Sequence, residues 1–354
     1  MRDFIYTANP ARVIFGSGSL GRVHDEAKRL GMERVLVLST PQQVRSAEHV
    51  SALLGPLCAG VFAGAVMHTP VGVTDQAMQV VAARNIDGIV AIGGGSTVGL
   101  GKAIALRTDL PQIVIPTTYA GSEVTPIIGE TKDGLKTIQS ASRVLPKVVI
   151  YDVDLTLSLP AGLSVTSGFN AVAHAVEALY ARDGNPIIDM MAEEGVRAIV
   201  RSLPRIVADS SDVAARSDAQ YGAWLCGTCL GSVGMSLHHK LCHTLAGTFD
   251  LPHAETHTIV LPHALRYNAL AVPDAIRALS RVFGHTDPAR ALHDLAGALG
   301  APRALKDLGM PEHGIDQAAD LALSNPYWNP RPLERDALRT CIAGAWDGDL
   351  PPFY

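Results

Sequence analysis

Residues Gly88–Lys102 read GIVAIGGGSTVGLGK: a short apolar run, three glycines with Ser96, then a helix-forming stretch. An apolar run of this length bounded by glycine is the pattern of a buried strand. Three glycines let the backbone approach a ligand closely and reach dihedrals closed to other residues. The free amides of the following helix and its dipole then favour an anion. Ser96 can cap that helix and donate to a phosphate. The unit is neither G-x-G-x-x-G nor G-x-x-x-x-G-K-[ST], and its glycines also suit a plain tight turn. Gly93, Gly94, Gly95 and Ser96 are thus candidate phosphate-binding residues at the end of a strand.

The same rhythm continues on either side. Arg34–Ser39 (RVLVLS), Gln112–Ile115 (QIVI) and Lys147–Tyr151 (KVVIY) read as further buried strands, and Ala77–Arg84 (AMQVVAAR) as a crossover helix. Strand–helix alternation gives an α/β sheet whose ligands bind at the carboxyl ends of strands. The rhythm changes near Leu159-Pro160-Ala161-Gly162. Beyond it, Asn170–Ala181, Ile188–Ile206, Ala215–Leu230 and Asp274–Gly284 carry helical periodicity, and only Thr258–Leu261 is briefly β-branched. We expect an α/β nucleotide-binding domain over 1–162 and an all-helical catalytic domain over 163–354, with the active site in the cleft between them.

The 354 residues are 47% hydrophobic and 18% charged, with a formal charge of -5. That composition buries a large core and argues against disorder. No Lys/Arg run suggests a nucleic-acid or membrane partner. No apolar stretch approaches the ~18 residues of a membrane span. The N-terminal MRDFIYTANPARVIFGSG lacks the apolar core of a secretory signal. Five cysteines, an odd number in a large chain, fit a reducing cytoplasm better than a disulfide framework. The expectation is a cytoplasmic enzyme that meets an anionic small molecule with local groups.

Two clusters supply such groups. Ile115–Glu123 (IPTTYAGSE) follows a strand, and the hydroxyls of Thr117 and Thr118 suit a ribose, a phosphate or a nicotinamide amide; alternatively, Ser122 or Thr118 starts a capped helix. In the second half, His238, His239, His243, His253 and His257 fall close together. Asn170 and His174 are four apart and share a helix face, as do His239 and His243. HHKLCH is not the zinc-protease H-E-x-x-H, because Lys240 stands in place of the Glu. Three imidazoles and an oxygen make a divalent-metal site, but the oxygen here belongs to the neutral amide of Asn170. The same histidines could instead donate to an anionic substrate. Cys226 and Cys229 have redox spacing in a Trp/Leu-rich helix and read as packing.

These elements in this order resemble the iron-containing alcohol dehydrogenase superfamily, with its dehydroquinate synthase-like fold. The resemblance runs from Phe15-Gly16-Ser17-Gly18 to near the C-terminus. It implies pyrophosphate on Gly93–Ser96, cofactor contacts from Thr117, Thr118 and Thr69, and metal-ligand positions at Asn170, His174, His239 and His253, with His243 near the substrate. Thr40 stands where the superfamily often has an acid for the adenine ribose, so NADPH is expected beside NADH. PTTYAGSEVTPIIGET, SGFNAVAHAVEALYA, Leu237–His257 and NPYWNPRPL resemble the maleylacetate reductase branch. Asn170 replaces the ligand Asp and Gly99 the acid of GGGSxxD, and both suit a branch regarded as needing no metal. The resemblance also implies a homodimer.

That branch adds hydride to the conjugated C=C of a keto diacid. His243 is then the expected proton donor or oxygen stabiliser, with His253, His239 and His174 beside it. Lys240, Asn170 and Arg331 are candidate partners for the substrate carboxylates, and Tyr327 and Asn329 line the pocket. Lys240 and Arg331 also read as solvated surface charges. Three rival readings stand beside this one: a metal-dependent alcohol dehydrogenase, a lyase resembling dehydroquinate synthase, and a non-catalytic nucleotide-binding module.

Overall fold

A computed structural model describes residues 4–6, 8, 12–132 and 135–352; residues 1–3, in the N-terminal stretch read for a signal, lie outside them. The chain divides into two compact units between Leu159 and Pro160, and Pro160 is the N-cap residue of the first long helix of the second unit.

The first unit holds β1 (Arg12–Phe15), β2 (Val35–Leu38), β3 (Cys58–Phe62), β4 (Gly88–Gly93), β5 (Gln112–Pro116), the hairpin β6 (Ile127–Lys132) and β7 (Leu135–Ser140), and β8 (Val148–Tyr151). Six of these form one sheet in the order β1-β8-β5-β4-β2-β3, and every pairing in it is parallel. The helices are α1 (Val23–Arg29), α2 (Val44–Leu54), α3 (Val71–Ala83) and α4 (Gly95–Thr108). Alternate strand residues serve opposite faces. Val35, Val37, Val90, Ile92, Ile113 and Ile115 pack with Val23, Val50 and Leu54 of α1 and α2. Leu36, Leu38, Ile89, Ala91 and Val114 pack with Ala77 and Val81 of α3 and with Val98 and Ile104 of α4. Burial on both faces is why these strands read as unbroken apolar runs. Each such Val, Leu or Ile contributes about 1.5–3 kcal/mol by leaving water, so the loops at the strand ends sit on a rigid base. The sequence reading missed β1, β3 and the hairpin. β1 is held at the sheet edge by Asp152, whose carboxylate accepts from the Gly18 and Leu20 amides at 3.1 and 2.8 Å.

The described residues of the second unit form helices and no strand: α5 (Ala161–Ala178), α6 (Pro186–Ala208), α7 (Val213–Ser232), α8 (Leu237–Phe249), α9 (His253–Asn268), α10 (Pro273–Phe283), α11 (Pro288–Ala298), α12 (Gly314–Ser324) and α13 (Arg335–Asp347). The β-branched Thr258–Leu261 lies inside α9, where burial from Thr256 to Asn268 overrides local preference. Leu241 and Leu245 of α8, Val260 and Ala264 of α9, Ile315 and Ala318 of α12 and Leu338 and Ile342 of α13 share one core. α6 and α7 cross at Gly195 and Gly222: a Cβ at 195 would lie 2.8 Å from the Cys226 Sγ, and one at 222 only 2.8 Å from the Gly195 oxygen. Burial pushes the Cys226 thiol well up and Cys229 up to about 12, so this pair packs and stays protonated.

Candidate functional site

In the first unit, three strand-end loops are locked together. Gly93 closes β4 at φ +150°, and a Cβ there would meet the Thr97 Oγ1 at 2.5 Å and the Gln43 Oε1 at 2.7 Å. A Cβ on Gly94 would lie 2.9 Å from Thr118 Cγ2. The Thr117 amide donates to the Gly93 oxygen at 3.1 Å, and Gln43 Nε2 donates to Thr117 Oγ1 at 2.9 Å. Gln43 follows β2 and escaped the sequence reading, since nothing in its neighbours marks its partner. Helix α4 starts at Gly95 with Gly94 as its N-cap and no side-chain cap. Ser96 therefore lies within the first turn and, contrary to the expectation from sequence, does not cap the helix. First-turn amides without a side-chain cap are what an anion takes up.

The loop after β5 runs into a short 3-10 turn, Ser122–Val124, behind Gly121 at φ +78°; neither Ser122 nor Thr118 starts a capped α-helix. Thr40 precedes the turn Pro41–Gln43 at the end of β2. Thr69 is buried and left-handed at φ +46°. A Cβ on Gly99 would meet its Oγ1 at 2.2 Å, so the glycine in place of an acid makes room for this threonine. Lys102 is 2% exposed. Its Nζ donates to the Ser122, Thr125 and Ile127 oxygens at 2.6, 2.8 and 2.9 Å and to the Thr125 hydroxyl at 2.9 Å. Glycine-lined amides beside adjacent hydroxyls fit the pyrophosphate and ribose of a nicotinamide nucleotide.

In the second unit, α5 carries Asn170, His174 and Glu177 at i, i+4 and i+7, hence on one face. The first turns of α8 carry His238, His239, Lys240, Cys242 and His243, and α9 starts at His253 and carries His257. Glu177, His238 and His257 are fully buried, and Asn170, His174 and His239 are nearly so. The Glu177 carboxylate accepts from the His238 amide at 2.7 Å, the Ser236 amide at 2.8 Å and the His239 Nδ1 at 2.7 Å. A carboxylate that takes backbone N–H groups is an acceptor, so the His239 proton lies on Nδ1. His239 Nε2, 2.9 Å from His174 Nδ1, is then the acceptor of that pair. His174 Nε2 in turn accepts from the Asn170 amide nitrogen at 3.5 Å. One direction of donation runs from Asn170 to Glu177.

Behind this row, His238 Nε2 lies 2.9 Å from His257 Nδ1, and burial among neighbouring imidazoles pushes both well below the usual histidine range. In front of it, His243 and His253 are partly exposed. His243 Nδ1 lies 3.2 Å from the Tyr327 hydroxyl, and Lys240 Nζ stands 5.8 Å from the Tyr327 ring centroid. Partial burial lowers Lys240 below the usual lysine range. Arg331 and Asn329 are used internally: Arg331 donates to the Tyr267 oxygen at 3.0 Å and stacks on its ring, and Asn329 pairs with Asn268 in both directions. Sequence reasoning missed Glu177, because a glutamate in an Ala-rich helix ordinarily faces water.

Among Asn170, His174, His239 and His253 no side chain is the anionic ligand that helps hold a dication. His174 Nδ1 and His239 Nε2 face each other at 2.9 Å, and a cation held by both would have to displace the proton of that hydrogen bond. The oxygen ligand is a neutral amide. His238, Cys242 and His257 also cluster closely, but two of them bond to each other and burial keeps the third a thiol.

Comparison with known proteins agrees with this layout. The family described as "Iron-containing alcohol dehydrogenase" matches residues 10–153, and "Fe-containing alcohol dehydrogenase family, C-terminal" matches residues 164–346. The maleylacetate reductase of a Rhizobium species is 56% identical over 351 residues, 99% of this chain and all of its own. That of Sphingobium indicum is 57% identical over 350 residues, 99% of each chain. The crystal structure of maleylacetate reductase from Agrobacterium tumefaciens matches with a TM-score of 0.96 at 55% identity, over 99% of this chain and 100% of that one. This chain belongs to the iron-containing alcohol dehydrogenase family and is an oxidoreductase of its maleylacetate reductase branch.

Proposed function

We propose that the chain reduces the conjugated C=C of maleylacetate to 3-oxoadipate with NADH or NADPH, and needs no metal. The observation that carries this reading is the row Asn170–His174–His239–Glu177, in which an amide stands at the family's acidic ligand position and the facing imidazoles bond each other. Such a row offers hydrogen-bonding groups, not a Lewis acid, to an anionic substrate.

The nicotinamide, when bound, supplies a hydride to the alkene carbon distal to the ketone. The pair of electrons displaced onto the ketone oxygen makes an enolate, which takes a proton on carbon. His243, set by the Tyr327 hydroxyl, gives that proton or steadies the enolate oxygen. His253 and His239 stand beside it. Lys240 and Asn170 meet the two carboxylates, and Tyr327 lines the pocket, while Asn329 and Arg331 brace the Tyr267 segment from which it is shaped. Gly93–Ser96, Thr117 and Thr118, with Thr40 and Thr69, hold the nucleotide. Thr40 brings no carboxylate against a 2′-phosphate, which supports the use of NADPH beside NADH.

Gly93→Ala tests the nucleotide loop. The strained φ and the contacts at 2.5 and 2.7 Å would distort the loop at a cost on the order of 1–3 kcal/mol. KM for NADH rises about tenfold or more in initial-rate assays, with kcat little changed. An unaltered KM would remove this loop from the cofactor site.

Cys58, Cys226, Cys229 and Cys242 are free thiols, which supports a reducing cytoplasm, and no described helix is long and apolar enough to cross a membrane. A homodimer, a place in the breakdown of aromatic compounds and a small dicarboxylate as the only partner complete the reading. NADH consumption with maleylacetate, against simple aldehydes as the control, tests its substrate.

A further inference from the structure

We infer that Glu177 is a positioning residue which, by accepting from His239 Nδ1 while holding the first amides of α8, fixes the proton positions along the whole row to Asn170. The inference rests on the reductase reading for its catalytic consequence but not for its geometry.

Glu177 is 0% exposed and spends both oxygens on this unit. Its Oε1 accepts from the His238 amide, and its Oε2 from the Ser236 amide and the His239 ring. The two backbone groups can only donate, so they hold the carboxylate oxygens in place. A fixed acceptor beside His239 Nδ1 leaves a single neutral arrangement for the rest. His239 Nε2 accepts from His174 Nδ1, and His174 Nε2 accepts from Asn170 Nδ2. The same contacts pin the start of α8, the helix that also presents Lys240 and His243.

Glu177→Leu keeps most of the volume and has no acceptor. The Ser236 and His238 amides and His239 Nδ1 then lose the oxygens they donate to, and nothing holds the His239 proton at Nδ1. The His239 proton can then move to Nε2, with His174 turning from donor to acceptor at Nδ1 and the Asn170 amide flipping to accept from His174 Nε2. A wrong tautomer beside reacting groups is costly. The expected result is a kcat for maleylacetate at least about tenfold lower, with KM for NADH unchanged because the nucleotide loops belong to the other unit. Glu177→Asp, which keeps a carboxylate, recovers part of the loss.

The decisive readout is independent of turnover. Ring-nitrogen NMR of the protein labelled with 15N-histidine shows His239 protonated at Nδ1 in the parent chain and shifted toward Nε2 in Glu177→Leu. A parent His239 protonated at Nε2 overturns the inference even if the variant does not fold. So does a folded Glu177→Leu with parent kcat and parent ring signals, which would mark Glu177 as merely structural. Parent protein with the expected ring signals but no turnover of maleylacetate would instead overturn the substrate reading and leave this inference standing.

Discussion

Replacing His243 by Ala lowers kcat for maleylacetate by a factor on the order of 10², with NADH affinity preserved. The ring is partly exposed where His238 and His239 are buried, so a substrate can reach it. Its Nδ1 partner, the Tyr327 hydroxyl at 3.2 Å, fixes the ring with Nε2 on the edge away from that contact. An imidazole has an ordinary pKa close to working pH, so it can hold a proton before the hydride arrives and release it to the enolate. Alanine removes the proton donor and leaves the enolate to water. Stopped-flow or steady-state rates on the purified variant decide the matter. The same variant leaves nucleotide binding intact, because Gly93–Ser96 and Thr117–Thr118 lie in the other unit. Parent kcat in His243→Ala would exclude this residue from the reaction.

Lys102→Met destabilises the first unit by roughly 3 kcal/mol or more and weakens nucleotide binding with it, since each buried acceptor left unsatisfied costs about 1–3 kcal/mol. Four oxygens converge on the Nζ at 2.6–2.9 Å. Burial pushes this lysine down to about 7, while the nearby Glu123 raises it; the cage of oxygens favours the charged form, which alone can donate three hydrogen bonds at once. Methionine fills the volume but donates nothing. The segment released, Ser122 to Ile127, directly follows the loop that carries Thr117 and Thr118, so the loss of order reaches the cofactor site. Thermal unfolding and NADH fluorescence titration report the two effects, and a variant with parent values for both would show that the cage is satisfied in some other way.

Much of the first unit was legible because its central strands are buried on both faces: RVLVLS, GIVAI and QIVI leave no polar alternation to confuse with a surface strand. β3 escaped notice for the opposite reason. CAGVF is only half-buried along its length, and small residues give it no signature. β1 depends on Asp152, over a hundred residues away, for its place beside β8. In the second unit, spacing alone brought Asn170 together with His174 and placed His239 and His243 on one helix. It could not show that His174 and His239 face each other, nor that Glu177 closes the row, because those contacts join separate helices. Thr69 was likewise placed by resemblance only. Its left-handed backbone is unusual for a β-branched residue, and its hydroxyl fills the space that a Cβ on Gly99 would need. Arg331 adds a contact that its residue type did not announce: its guanidinium stacks on Tyr267.

Metal-free reduction of maleylacetate is tested by the rate of NADH oxidation with that substrate, followed at the nicotinamide absorbance before and after exhaustive chelation. Turnover is expected to survive chelation unchanged and to yield 3-oxoadipate. Turnover that collapses on chelation and returns with iron or zinc would contradict this chemistry, as would reduction of simple aldehydes with no turnover of maleylacetate.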